Sequence, residues 1–154
     1  MLIHYFTLLK LAENFQNLIG SKIIEAYSQE KDTAILQFYN GSQIINLKFS
    51  ALPNFECIFL HNDEKKKSNS INLFQNIYGE TLKDILAFEN NRMLEFEFTN
   101  SHIYFLLFSK SKNNLVCTDK YDDIVYALNN NKTLAGTHFH LPQTSTINLT
   151  DLPK

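Results

Sequence analysis

The residues best suited to gripping a polar ligand lie around one hairpin. Arg92 follows the polar stretch Glu89-Asn90-Asn91 and opens a run in which Leu94, Phe96 and Phe98 alternate with Glu95 and Glu97. A period of two is the pattern of a half-buried strand. Thr99-Asn100-Ser101 then reverses the chain into a second, more apolar strand that ends near Phe108. Beyond it comes Ser109-Lys110-Ser111-Lys112-Asn113, whose hydroxyls, amide and two ammonium groups suit phosphate contacts. Such contacts position a nucleic acid rather than specify its sequence. A rigid hairpin with one guanidinium on its first turn is a way to set an Arg against a phosphate or a base edge. A salt bridge from Arg92 to Glu89 or Glu95 is an equal alternative, and a charged β-turn is the plain alternative for the lysine loop.

Other constellations carry less chemistry. His138 and His140 have a spacing that can hold a metal on a strand, but no third ligand lies near them in sequence, so an exposed pair is the expectation. His4, His61 and His102 are isolated and read as structural or solvated. Cys57 and Cys117 sit inside apolar runs and read as buried structural thiols. Neither has a His and a carboxylate at readable spacing, so nucleophilic catalysis has no support. Lys65-Lys66-Lys67 stands beside Asp63 and Glu64 and reads as a solvated turn. There is no Gly-rich phosphate loop and no nucleophile elbow. A non-enzymatic chain without a cofactor is the expectation.

The elements that must position these residues follow from periodicity. His4–Ile19 carries an amphipathic helical stripe, with Gly20 where a glycine ends a helix. From Lys22 the period changes to two. Strands are predicted at Lys22–Gln29, Thr33–Tyr39, Gln43–Phe49, Phe55–Leu60 and Leu82–Phe88. The two hairpin strands, Asn114–Thr118 and Asp122–Leu128 follow, making nine strands in all. Asn40-Gly41 between two apolar runs is a strong hairpin signal. Ser70 reads as the cap of a short middle helix, Ile71–Tyr78, ended by Gly79.

The 154 residues, 44% hydrophobic with 13 Phe and 7 Tyr against 4 Gly and 3 Pro, suit one folded domain rich in strands. An antiparallel β-sandwich or barrel with the first helix over one open face is the expected fold, mainly β with an α+β element order. A net charge of −2 excludes a chain that grips nucleic acid over its whole surface, so any such contact is a local patch. No signal-peptide pattern and no membrane-length apolar run occurs, so a cytoplasmic location without membrane association is the expectation. Past Asn129 the chain turns polar, and 131–154 reads as a linker or tail after a domain at 1–130, leading to downstream domains of a longer protein.

Taken in order, these pieces resemble the N-terminal domain of the NFACT family, also called fibronectin-binding-protein-A-like, in a divergent form similar to Bacteroidota members. The opening Tyr5-Phe6-Thr7-Leu8-Leu9-Lys10-Leu11 looks like the family's first helix. Gly20-Ser21-Lys22-Ile23 resembles its Gly-x-[RK]-I, and Ile45–Ser50 with Pro53 resembles a strand pair with a recurrent Ser and Pro. Asn69–Phe74 with Tyr78-Gly79 looks like its middle helix, and Arg92–Phe98 like its Asp-Arg-x-[IV]-x-[FL] strand. Leu107-Phe108, Asn113 and Leu115-Val116 resemble a Leu-[MF]-Gly-x-x-[SA]-Asn-x-[IL]-[LV] segment, and Leu134–Phe139 with Pro142 an exit motif.

The resemblance covers most of residues 4–142. It implies a β-sandwich with an N-terminal helix and one short middle helix, similar to the N-terminal domain of the formamidopyrimidine glycosylases. It also implies a ribosome quality-control role: binding tRNA on the obstructed large ribosomal subunit and supporting C-terminal tailing of stalled nascent chains. No DNA partner is expected, and glycosylase chemistry does not carry over, since a Pro-Glu start is replaced by Met1-Leu2-Ile3. The implied tRNA-contacting residues are Arg92 and Asn91, with His4, Lys110, Lys112 and Asn113 as secondary candidates. Asn91 stands where the family's Asp-Arg pair has its carboxylate, His4 matches an Asp of the first helix, and Ser109 replaces a Gly. The runner-up is an adhesin-like protein-interaction sandwich that binds no nucleic acid.

Overall fold

Alternating strands leave each sheet with one apolar face, and the chain buries those faces against each other. The computed structural model describes residues 5–52, 57–61, 66–88, 92–107, 113–140 and 146–148. Strands β1 (Lys22–Ser28), β2 (Thr33–Tyr39), β3 (Ile44–Ser50), β4 (Cys57–His61) and the short β5 (Ile71–Asn72) form a sheet of order β4-β3-β2-β1-β5. The second sheet has β6 (Leu82–Phe88), β7 (Met93–Phe98), β8 (Ser101–Leu106), β9 (Asn114–Asp119), β10 (Ile124–Ala127) and β11 (Thr146–Asn148), ordered β10-β9-β8-β7-β6-β11. Every pairing among them is antiparallel. The expected antiparallel sandwich is the fold.

Phenylalanines fill the space between the sheets. Phe96 of β7 meets Phe105 of β8 at 4.8 Å, Phe38 of β2 at 6.3 Å and Phe15 at 6.3 Å. Phe105 in turn meets Phe49 of β3 at 5.6 Å, and Phe38 stacks on Phe98. Strand alternation aims Ala34, Leu36 and Phe38 inward from β2, and Leu94, Phe96 and Phe98 inward from β7.

The predicted first helix is divided. α1 runs Tyr5–Asn14 and a 3-10 turn covers Gln16–Leu18. The tighter turn lets Phe15 and Leu18, three residues apart and both buried, reach the core from the same side, and Gly20 at φ +94° then bends the chain into β1. The predicted middle helix at Ile71–Tyr78 is corrected: it is strand β5 followed by a 3-10 turn at Gln75–Ile77. Phe74, at φ 53°, interrupts any helix. Tyr78 Oη lies within hydrogen-bond reach of the carbonyls of Ala26 (2.8 Å) and Leu73 (2.7 Å) and accepts from Ala26 N (3.1 Å), tying the segment to β1. With β5 and β11 the strand count is eleven among the described residues, not nine.

On the outer face of each sheet lies a described part of the segment that links its two edge strands. The segment from β4 to β5 must pass from one edge of the first sheet to the other. Its Lys66 ammonium lies 5.4 Å from the Tyr27 ring centre and bonds Asn72 Oδ1 (2.7 Å) and Glu25 Oε1. The segment from β10 to β11 does the same on the second sheet. There Phe139 stacks on Tyr104 at 4.3 Å, and β11 pairs with β6. Residues 131–140, polar enough to read as the start of a linker, hold α2 (Asn131–Leu134) and pack Leu134 and Phe139 on this face. The signal lost in the polar composition is those two apolar side chains.

The ring cluster yields the first prediction. Phe96→Ala removes a fully buried ring at the junction of α1, both sheets and the 3-10 turn, and should cost about 3–5 kcal/mol. Urea denaturation should show the midpoint falling with little change in slope.

Candidate nucleic-acid interface

The β7–β8 and β8–β9 ladders bring distant polar residues to one end of the second sheet. Met93 pairs with Leu106, and Leu106 with Asn114. One residue further, the Leu107 amide donates to the Arg92 carbonyl at 2.7 Å, so Arg92, Leu107 and Asn113 continue one row. Leu107 and Asn113 are buried there, while Arg92 is half-buried. The Asn113 side-chain amide has no hydrogen-bond partner at either Oδ1 or Nδ2 among the described residues.

The end of β10 completes this edge. Asn129 N donates to Asn114 Oδ1 (2.9 Å), Asn114 Nδ2 donates to the Asn129 carbonyl (2.9 Å), and Asn129 Nδ2 donates to the Asn113 carbonyl (3.4 Å). This reciprocal clamp fixes the exit of β10 beside the start of β9. Arg92 and Asn129 are three strand spacings apart, about 14 Å. Asn91, His4, Lys110 and Lys112 lie outside the described residues, so Arg92 and Asn113 are the two sequence-predicted residues that the structure places together.

A cleft of about 270 Å³ opens between the sheets at this same end, where the β1–β2 turn faces the end of β10. Lys31, Asp32 and Asn129 are among its polar walls, and Leu73, Tyr126 and Leu128 among its apolar ones. Sequence reading passed over it. Glu30-Lys31-Asp32 and Asn129-Asn130-Asn131 look like ordinary turn and linker residues, and the topology alone joins them.

The outer face of the second sheet holds a separate, enclosed polar group. His102 Nδ1 and Glu95 Oε2 are 2.8 Å apart, and Tyr104 Oη donates to Asp122 Oδ1 at 2.6 Å. Glu95 is therefore engaged by His102. That hydrogen bond raises the His102 pKa against the opposing effect of burial, with the charges of Glu95, Asp122 and Glu97 adding to the rise. Burial raises the Tyr104 phenol. His102 is thus half-buried and paired, a structural role.

The remaining candidates resolve plainly. His138 Nδ1 is 3.0 Å from Asp123 Oδ1 and its ring lies against His140, both exposed. Among the described residues no group of three or more His, Cys, Asp or Glu is placed to hold a metal. Cys117 is buried, and burial pushes its thiol up to about 12. Cys57, expected to be buried, is half-buried because β4 is an edge strand. Lys66 and Lys67 pair with Glu25 and Glu30. Among the described residues no helix is long and apolar enough to cross a membrane.

With the geometry in place, three solved structures stand out as similar. One is the fibrinogen-binding protein from Staphylococcus aureus, with a TM-score of 0.77 and 18% identity over 94% of this chain and 57% of that one. Another is the N-terminal domain of the fibronectin-binding protein PavA from Streptococcus pneumoniae, at 0.77 and 19% over 97% of this chain and 64% of that one. The third is the N-terminal part of the fibronectin/fibrinogen-binding protein from Streptococcus suis, at 0.75 and 20% over 92% and 61%. The chain has their fold. It spans 57% to 64% of their lengths. No known family profile matches the chain, and no curated protein matches it.

The His102–Glu95 pair gives a pH prediction. A raised folded pKa means the pair's contribution is full below the unfolded value of 6.5 and is lost as pH rises through the folded one. His102→Gln should lower stability by about 1 kcal/mol in that acidic window. Thermal melts across pH should show the gap to wild type closing on the alkaline side.

Proposed function

We propose that this domain is an RNA-binding module of a ribosome quality-control factor of the NFACT type. In this reading it holds tRNA on the obstructed large ribosomal subunit and supports C-terminal tailing of the stalled chain, together with downstream domains of the same protein. The observation that carries the reading is the row at the end of the second sheet. Arg92 and Asn113, far apart in sequence, flank Leu107 on neighbouring strands, beside the Asn114–Asn129 clamp. A guanidinium with an amide two strands away suits a phosphate and a neighbouring sugar, contacts that set register without reading sequence. The shared fold with fibronectin- and fibrinogen-binding protein domains supports the reading too, because the resembled family carries that name. His4, Asn91, Lys110 and Lys112 keep their places in the proposal as flanking contacts, Asn91 as a neutral hydrogen-bonding partner in place of a carboxylate.

A second reading rests on the names of those structural relatives: a protein-interaction sandwich that takes fibronectin or fibrinogen. Such a face needs a contiguous apolar patch. On the outer face of the first sheet, exposed Phe59 is separated from exposed Tyr39 and Ile44 by the polar pair Gln37 and Asn46. Among the described residues of that face the exposed apolar side chains do not form one patch, which counts against the second reading there.

The test is tRNA binding by the wild-type chain and by Arg92→Ala at two salt concentrations. The wild type should bind more weakly at higher salt, and the variant should lose about tenfold in affinity with a salt slope reduced by about one. Equal affinities without salt dependence would remove the tRNA role, and capture by immobilised fibronectin or fibrinogen instead would favour the second reading.

A further inference from the structure

Apart from Asn129, the residues lining the cleft between the β1–β2 turn and the end of β10 have no part in the contacts assigned above. We propose that it is a nucleobase pocket, taking one unstacked base that carries an exocyclic amine. The inference rests on the RNA reading for its place in function, though the pocket's chemistry stands apart from Arg92.

Size sets the first limit. About 270 Å³ is below the range of roughly 300–1,000 Å³ for sites that enclose drug-sized ligands, so the cleft suits a single ring system rather than a whole cofactor. Its walls suit a flat apolar ring. Tyr126 is held by a T-shaped contact with Phe74 at 5.4 Å, Leu128 lies beside it, and Ile71 forms a lip that is 65% exposed. Among the large apolar side chains of the described residues, Ile71 is one of the most exposed, and a bound ring would cover it. Unstacked bases are recognised in this way, by stacking on side chains with hydrogen bonds to the base edge.

The polar wall chooses among bases. The Lys31 and Asp32 side chains and Asn129 Oδ1 have no hydrogen-bond or ion-pair partner among the described residues. The Asp32 carboxylate is acceptor-only when ionised, so it receives an amine and turns away a carbonyl edge. Asn129 can pair with the adjoining ring nitrogen and amine, as Asn does with adenine, and Lys31 is a cation for the neighbouring phosphate. The β1–β2 turn that carries the two charges is anchored: Ala51 N donates to the Asp32 carbonyl at 2.8 Å. Asn129 also donates to the Asn113 carbonyl, so the pocket adjoins the row that begins at Arg92. A strand whose backbone lies along Arg92 and Asn113 can drop one base into the cleft about 14 Å on.

Nucleoside monophosphates test this on the whole chain. Titration with AMP or CMP, followed by two-dimensional amide NMR, should shift Ile71, Leu128 and Asn129, while UMP and ribose 5-phosphate should leave them in place. Ile71→Glu, at an exposed position, should abolish the shifts in a folded protein. Asp32→Asn, which tolerates the positive φ found there, should bring UMP within about twofold of AMP. Absence of AMP and CMP shifts at these amides, or equal response to UMP in the wild type, would overturn the pocket even if tRNA binds through Arg92. Shifts that persist when tRNA binding proves absent would uphold the pocket and sink the tRNA reading alone.

Discussion

Contact between Phe96 and its neighbours is the constraint on which the rest depends. Phe96 touches rings from β2, from β8 and from the turn after α1. It therefore fixes the distance between the sheets, the seat of the N-terminal helix and the rotation of β7 at once. Because side chains alternate, seating Phe96 inward also seats Glu95 outward against His102, and sends the preceding Arg92 toward the end of the sandwich. A one-residue slip in β7 would put Glu95 and Glu97 into the core and turn Leu94, Phe96 and Phe98 outward. The register of the Arg92 end is thus set by apolar packing, not by the polar residues that lie there.

Both sheets solve a second problem in the same way. Each has an outer face with large side chains, Tyr27 and Ile35 on the first and Tyr104, Met93 and Leu106 on the second. Each is crossed by the chain that leaves one edge strand and returns as a very short strand at the other edge. The described part of each crossing covers a ring there, Tyr27 on the first sheet and Tyr104 on the second. The short strand pairs along the edge strand, an edge that would otherwise template pairing with another chain. The first strap is pinned by charge, through Lys66 to Glu25 and Asn72. The second is pinned mainly by packing, through Phe139 on Tyr104 and Leu134 beside it.

Period-two alternation made most strands legible: β2 and β6 match their predicted bounds, and β1, β3, β9 and β10 differ by a residue or two at their ends. Asn40-Gly41 was readable because its chemistry is local; Asn40 Oδ1 accepts from Ser42 N and Gln43 N. The middle helix was not, since Ser70 and Gly79 mimic helix caps while the segment is held by long-range bonds from Tyr78 to β1. β11 was hidden for a related reason: a three-residue strand in a polar tail exists only because β6 offers an edge. For the candidate site, local sequence pointed to Arg92 and Asn113 but could not show that they share a row. It also could not show that Lys31 and Asn129 face one cleft, because those relations are made by sheet topology alone.

The ends of the sandwich are where turns and polar atoms from several strands come together. At the Arg92 end, an amide at Asn113 has no partner among the described residues, in a position where an unmet buried polar group costs about 1–3 kcal/mol. The outer face of the second sheet, by contrast, pairs Glu95 with His102 and Tyr104 with Asp122 beneath its strap. The pairs on that face are met within the domain, whereas the Asn113 amide is buried without a partner among the described residues. The net charge of −2 fits a contact confined to such an end, since long-range attraction to a polyanion is weak for this chain. The binding proposed for that end depends on short-range geometry, with Arg92 and the Asn cluster set on strands whose positions the phenylalanine core holds.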